Sequence, residues 1–118
     1  MSIVSFKERP LSERKLESSN ILRKYPNKIP IILEKYDKNS PDLDRYKYLV
    51  SYDTTVAVLL LNIRKRTKIN YHQSLYLFVN GEIYNVSTMI SEIYEKNKNE
   101  EDNFLYFTYS TENTFGGF

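Results

Sequence analysis

Asp53-Thr54-Thr55-Val56-Ala57-Val58-Leu59-Leu60-Leu61-Asn62-Ile63-Arg64-Lys65-Arg66 reads as one helix, and its place in the chain decides the architecture. Asp53 or Thr54 offers a side-chain oxygen to the free N–H groups of a first turn, so the helix is expected over residues 55–66. Its apolar residues run almost all round it, which predicts a buried central element. Arg64, Lys65 and Arg66 close it, where cations favour the negative end of the helix dipole.

Strand-like runs flank this helix on both sides. Upstream, residues 28–35 (KIPIILEK) read as a strand, with Pro30 arguing for an edge or a bulge because it cannot donate to a ladder. A polar loop, residues 37–42, leads to a second strand at 45–50 (RYKYLV). Downstream, residues 74–79 (SLYLFV) form a third strand, and Asn80-Gly81 is a hairpin signal toward Glu82-Ile83. Ser87 is placed to cap a short helix over 88–96, with Met89, Ile90, Ile93 and Tyr94 inward, and residues 104–109 (FLYFTY) are the last strand. At the amino end, residues 11–24 (LSERKLESSNILRK) space Leu11, Leu16, Ile21 and Leu22 near a helical period, with Pro10 at the first turn. Tyr25-Pro26 stops that helix, and a shorter one using Ile3, Val4 and Phe6 precedes it. Two hairpin-like units bracketing a buried helix predict an α+β fold in which the sheet grasps the helix.

At 118 residues the chain fits one domain able to bury a core without metal or disulfide support. It has no cysteine, hence no disulfide, thiolate metal site or thiol nucleophile of its own. Residues 1–9 lack the apolar core of a signal peptide and the apolar run 56–61 is too short to span a bilayer, so a cytosolic, soluble chain is expected. Seventeen basic against fifteen acidic residues give a formal charge of +2, too weak a bias to argue for nucleic acid. Arg64-Lys65-Arg66-Thr67-Lys68 reads first as a solvated helix end, and Glu100-Glu101-Asp102 as a solvated loop. His72, the only histidine, has no companion ligands for a metal and reads as ordinary surface. No nucleophile, base and oxyanion donors assemble from this inventory, so an enzyme is not expected, nor a cofactor or a metal site.

Glycine is scarce, three in the chain, yet two stand together in the ending Thr111-Glu112-Asn113-Thr114-Phe115-Gly116-Gly117-Phe118. A glycine carboxyl passes narrow enzyme clefts and is easily joined to an amine, because no Cβ obstructs the approach. The plainer reading is a frayed terminus.

Several words, in this order, resemble the autophagy-related ubiquitin-like modifier family, that of GABARAP and the microtubule-associated light-chain modifiers. They are Lys24-Tyr25-Pro26-Asn27-Lys28-Ile29-Pro30-Ile31-Ile32-Leu33-Glu34-Lys35, Lys47-Tyr48-Leu49-Val50, Ile63-Arg64-Lys65-Arg66, Ile93-Tyr94-Glu95, Phe104-Leu105-Tyr106, and Tyr109-Ser110-Thr111 through Phe115-Gly116. The resemblance spans nearly the whole chain. It implies a ubiquitin-like β-grasp fold with two additional N-terminal helices: a helical extension at 1–26, the β-grasp domain at 27–110 and a flexible conjugation tail at 111–118. It implies trimming by a processing cysteine protease, transfer by activating and conjugating enzymes, and amide linkage to phosphatidylethanolamine on autophagosomal membranes, with a cytoplasmic pool before conjugation. By match to the Phe-Gly ending, Gly116 is the conjugated residue and cleavage falls before Gly117; Gly117 is the rival, by analogy with the Gly-Gly ending of ubiquitin.

The same resemblance implies recognition of adaptor and receptor proteins through a short aromatic-x-x-aliphatic peptide added to the second strand. The aromatic pocket carries over onto Glu17, Ile21, Pro30, Ile32, Lys47, Leu49 and Phe104, and the aliphatic pocket onto Tyr48, Val50, Ser51, Thr54, Leu59 and Asn62. Lys28 and Arg66 flank them and favour acidic residues beside the peptide. The chain departs from the family pattern at Ser51, where a proline is usual, at Thr54 and Asn62, usually apolar, and at Tyr84-Asn85, usually two prolines. A shallower or more polar second pocket is expected. The remaining alternatives are an unconjugated peptide-binding module in vesicle trafficking or cytoskeletal attachment, and a nucleic-acid-binding domain using the basic helix end.

Overall fold

The computed structural model describes residues 5–38, 40–67, 69 and 73–111. Its elements run as a 3-10 turn at Phe6–Glu8, α1 at Leu11–Lys24, β1 at Lys28–Lys35, β2 at Lys47–Ser51, α2 at Val56–Arg66, β3 at Leu75–Phe78, α3 at Ile90–Asn97 and β4 at Leu105–Thr111. The four strands form one sheet in the order β2-β1-β4-β3. β1 and β4 pair in parallel at its centre, and β2 and β3 add antiparallel at its two edges. This is the α+β architecture expected.

The sheet is buried on both faces where β1 runs, because alternate side chains enter two different cores. Ile29, Ile31 and Leu33 join Tyr48 and Val50 of β2 and Val56, Leu59 and Ile63 of α2 in the main core. Ile32 points the other way and packs with Phe6 and Phe104, with Ile21 of α1 against them. The amino-terminal elements therefore cover the face of the sheet that α2 does not.

Local chemistry accounts for most boundaries. Pro10 stands at the cap of α1 and its carbonyl accepts from Glu13 and Arg14 N–H; Tyr25 N–H returns to Ile21 and Pro26 stops the helix. Asn80 and Gly81 both have positive φ, 51° and 81°, and Val79 and Glu82 exchange both backbone bonds across them. This is the tight hairpin that the dipeptide predicts.

Other expectations need correction. Pro30 lies in a central strand, not at an edge or a bulge. Leu33 N–H donates to Tyr46 and Tyr52 N–H to Asn27, so odd-numbered residues of β1 bond to β2, while the ladder with β4 begins only at Ile31. Pro30 is out of phase with the first and precedes the second, so its missing N–H interrupts neither. The cap of α2 is Thr55, whose hydroxyl accepts from Val58 N–H, because Thr55 and Val56 are held in extended pairing to Met89 and Thr88. α2 is not buried all round: Val56, Leu59 and Ile63 are inside, whereas Val58 and Leu61 are exposed. Ser87 does not cap α3, which starts at Ile90; its N–H and hydroxyl are held by the Asn85 side chain in a turn. Leu16 of α1 is 63% exposed, and the buried residue of that helix is Ser18. The amino-terminal helix expected around Ile3, Val4 and Phe6 is a single 3-10 turn at Phe6, and Ile3 and Val4 lie outside the described residues.

Asp102 is not part of a solvated loop. Glu100 and Glu101 are exposed, but Asn99 accepts the Glu101 and Asp102 N–H groups and turns Asp102 fully inward. There its Oδ2 meets Arg14 Nη1 at 2.6 Å and accepts the Tyr106 hydroxyl, while Oδ1 accepts from Phe104 N–H at 2.9 Å. Burial and the Asp102 carboxylate hold the Tyr106 phenol well above its ordinary pKa. This buried cluster fastens α1 to the start of β4.

Candidate functional site: the free edge of β2

β2 borders the sheet on one side only, since its other neighbour is β1. An edge strand offers unpaired backbone groups to an incoming segment. Its side chains divide by alternation: Lys47 and Leu49 face α1, and Tyr48 and Val50 face α2. The β2 residues assigned from sequence to two pockets thus fall on opposite faces of the same edge, except Ser51, which is in phase with Lys47 and Leu49 on the α1 side.

On the α1 side the structure brings together the expected aromatic set. Pro30, Ile32 and Phe104 form a buried floor, Ile21 lies partly buried beside them, and Leu49 stands 40% exposed at the rim. The Lys47 ammonium lies 2.9 Å from both carboxylate oxygens of Glu17, spanning the space between β2 and α1. It also sits 5.1 Å from the Phe6 ring centroid. Lys47 thus lies across the top of this apolar floor. The ion pair is half-exposed, so holding it shut contributes little, about 0–1 kcal/mol.

The second set divides into core and rim. Leu59, Val50 and Tyr48 are buried members of the main core, so they can supply a floor only. Thr54 and Asn62 are partly exposed above it, and Ser51 is partly exposed at the end of β2. Lys28 donates to the Ser51 hydroxyl at 3.2 Å. The Tyr48 hydroxyl is buried without a hydrogen-bond partner among the described residues. Burial raises its pKa, and Arg45 and Arg66 oppose that rise. Thr54 and Asn62 make this rim polar.

The basic run ending α2 is partly structural. Arg64 Nη2 donates to the Gln73 carbonyl at 2.6 Å and ties the helix end to the approach of β3, while Lys65 and Arg66 are exposed. Lys68, His72 and the tail with Gly116 and Gly117 lie outside the described residues. A cavity of about 400 Å³ opens beyond the end of β2, toward Glu34 and Leu43, and of the residues assigned to the β2 groove it shares only Ile32. The Arg14–Asp102–Tyr106 cluster went unread in the sequence, since its partners stand far apart in the chain and nothing local to Asp102 marks it.

Comparison with known proteins places these features in context. The model of a family described as autophagy protein Atg8, ubiquitin-like, matches residues 13–116. Autophagy-related protein 8c of Arabidopsis thaliana is 45% identical over 118 residues, covering 98% of each chain. Autophagy-related protein 8 of Dictyostelium discoideum is 46% identical over 117 residues, covering 97% of this chain and 95% of that one. The crystal structure of Trypanosoma brucei ATG8 superposes with a TM-score of 0.83 at 30% identity, covering 95% and 97% of the two chains.

Proposed function

The chain belongs to the Atg8 family of ubiquitin-like autophagy proteins, and from that premise we propose that it is a lipid-conjugated modifier that recruits adaptors through the edge of β2. In this reading a processing cysteine protease cleaves before Gly117, leaving Gly116 as the terminus. Activating and conjugating enzymes then carry the Gly116 carboxyl as a thioester to the amine of phosphatidylethanolamine. The sulfur at each step belongs to those enzymes, because this chain has no cysteine. The protein is the substrate of this chemistry and not a catalyst. Its contribution is a terminus whose scissile bond carries no side-chain bulk. The lipid contributes two acyl chains, each buried methylene about 0.8 kcal/mol, enough to hold a cytoplasmic protein on the autophagosomal membrane.

The adaptor part of the proposal rests on the β2 edge. An extended segment pairing there gains main-chain bonds, and its alternate side chains fall toward Leu49, Pro30, Ile32 and Phe104 on one face and toward Leu59 and Val50 on the other. Glu17 and Ile21 from α1 complete the first site; Tyr48, Ser51, Thr54 and Asn62 complete the second. An acidic residue beside the aromatic anchor takes Lys47 from Glu17, with Lys28 and Arg66 steering from the flanks.

The single observation that carries the reading is the exposed edge of β2 flanked by α1 and α2, in a chain matched to this family through Gly116. Intact mass of the protein recovered from its own cells tests it. The expected result is loss of Gly117-Phe118 and a phospholipid-sized addition in the membrane fraction. Gly116→Ala abolishes both. An untrimmed chain in every fraction, starvation included, rejects conjugation and leaves the unconjugated peptide-binding module.

A further inference from the structure

β1 is longer than the strand that covers its outer edge. Its ladder with β2 ends at Ile32 opposite Lys47, and the last bond is Leu33 N–H to the Tyr46 carbonyl, at 2.7 Å. β1 itself continues to Lys35, paired on its other side with β4. In the same phase the peptide groups of Lys35 turn toward the vacated edge, where the register would call for Asp44, and Asp44 lies outside β2. Among the described residues no backbone bond joins Lys35 to that segment.

The cavity of about 400 Å³ occupies this gap. The volume is in the range of clefts that hold ligands, about 300–1000 Å³. Apolar walls come from Phe6, Leu33 and Leu43. Three charged side chains line it: Lys35 and Asp42 pair with each other across the mouth, which leaves the Glu34 carboxylate as the uncompensated charge. Glu34 accepts a hydrogen bond at Oε2 from the Ser5 hydroxyl, 3.0 Å away, and has no cationic partner among the described residues. Exposed backbone, an apolar recess and an unneutralised carboxylate occur together at one place.

We propose that this cleft is a second peptide-binding site, separate from the β2 groove, that takes a short extended segment carrying a Lys or Arg beside an apolar residue. The segment occupies the line that β2 would follow if it were longer. Its main chain bonds to the peptide groups of Lys35, its apolar side chain enters beside Leu33 and Leu43 on the α2 face, and its cation pairs with Glu34 on the opposite face, beside Phe6, displacing the Ser5 hydroxyl. The β2 groove meets its ligand with cations, Lys47, Lys28 and Arg66; this one meets its ligand with a carboxylate. The two sites select opposite charge, so one chain can hold two different segments at once.

The test is NMR titration of the full isotope-labelled chain with the capped tripeptides N-acetyl-Leu-Arg-Leu-amide and N-acetyl-Leu-Glu-Leu-amide. The expected result is that the first shifts the amides of Leu33, Lys35, Leu43 and Thr108 in the millimolar range, and the second does not. Glu34→Gln should weaken binding of the first about tenfold, the loss of a charge-assisted bond, without altering affinity for an aromatic-x-x-aliphatic peptide. Thr108→Lys, which sets an ammonium beside Glu34 on the neighbouring strand, should block the site altogether. No shift with either peptide, equal shifts with both, shifts confined to residues 47–51, or undiminished binding to the Glu34→Gln chain would each overturn the proposal. Failure of the β2 reading is separate: it is loss of response to the aromatic peptide while the cationic one still binds.

Discussion

Replacing Asp102 by Asn should be among the most destabilising near-isosteric changes available in this chain. Asparagine keeps the shape and one acceptor for Phe104 N–H, but it removes the charge that faces Arg14 Nη1 at 2.6 Å and turns an amide donor toward donors on Arg14 and Tyr106. Asp102 is fully buried and the Arg14 side chain only 12% exposed, so the stranded guanidinium has little water to recover. Breaking one half of such a buried pair costs about 3–5 kcal/mol. A single domain has about 5–15 kcal/mol in total. At about 4 °C per kcal/mol for a chain of this size, the melting temperature should fall by about 12–20 °C. Urea titration followed by far-UV circular dichroism measures the loss, tyrosine emission giving a second probe because the chain has no tryptophan. The double variant Arg14→Met/Asp102→Asn should cost no more than Asp102→Asn alone, a coupling of at least about 2 kcal/mol. A loss below about 1 kcal/mol for Asp102→Asn, or strict additivity in the cycle, would show that the cluster is not a coupled buried pair. Because Arg14 fastens the helix that carries Glu17 and Ile21, the weakened chain should also bind aromatic-x-x-aliphatic peptides less tightly than Leu49 and Lys47 alone would dictate.

Burial, and then Asp42, push the Tyr109 phenol up to about 12. A tyrosine whose pKa is raised on folding contributes stability that is whole below about pH 10 and lost as pH rises from 10 toward 12, about 2–3 kcal/mol in all; a Tyr109→Phe chain should show a shallower alkaline loss by denaturant titration at stepped pH, and an unchanged slope would disprove the assignment. Gly81 has φ of +81° with open space where a Cβ would stand, so Gly81→Ala should cost about 1 kcal/mol through backbone strain alone, read as a shift in the urea midpoint at constant slope. Leu49→Ala removes a rim side chain already 40% exposed, so calorimetry should report a roughly tenfold loss of affinity for an aromatic-x-x-aliphatic peptide, with little change in fold stability. An undiminished affinity would place the groove elsewhere.

What was legible in the sequence was what local chemistry decides. α1 and β1 have the bounds expected, because Pro10, Tyr25-Pro26 and an uninterrupted apolar run act over a few residues. The start of α2 was misplaced because Thr55 and Val56 are held by Met89 and Thr88, contacts more than thirty residues away that move the cap past both expected residues, Asp53 and Thr54. Ser87 looked like a helix cap, but the Asn85 side chain claims it for a turn, and both patterns begin with the same residue types. Asp102 looked solvated beside Glu100 and Glu101, since charge in a run usually is; what inverts it is Arg14, 88 residues upstream. In the β2 groove, alternation alone separates Lys47 and Leu49 from Tyr48 and Val50, so the division into two faces was readable. The Lys47–Glu17 closure was not, because it depends on where α1 crosses the sheet.

That closure bears on how an edge strand stays available without becoming a hazard. An exposed strand with an apolar rim invites pairing between copies of the chain, and charge at the edge is the usual remedy. Here Lys47 of β2 and Lys28 of the neighbouring β1 lie on the α1 face at this edge of the sheet, paired in register with Ile32 and Ser51. A second copy of the same edge would set lysines against lysines, whereas a segment with acidic residues neutralises them. Both lysines have partners at home, Glu17 and the Ser51 hydroxyl, so each is held in place without being consumed. Exchanging Glu17 for a ligand carboxylate trades one half-exposed ion pair for another. The electrostatic gain in affinity is therefore small, and selectivity for acidic segments arises chiefly from what a neutral or basic segment fails to replace. Salt should then weaken the rate of association more than it alters the final complex.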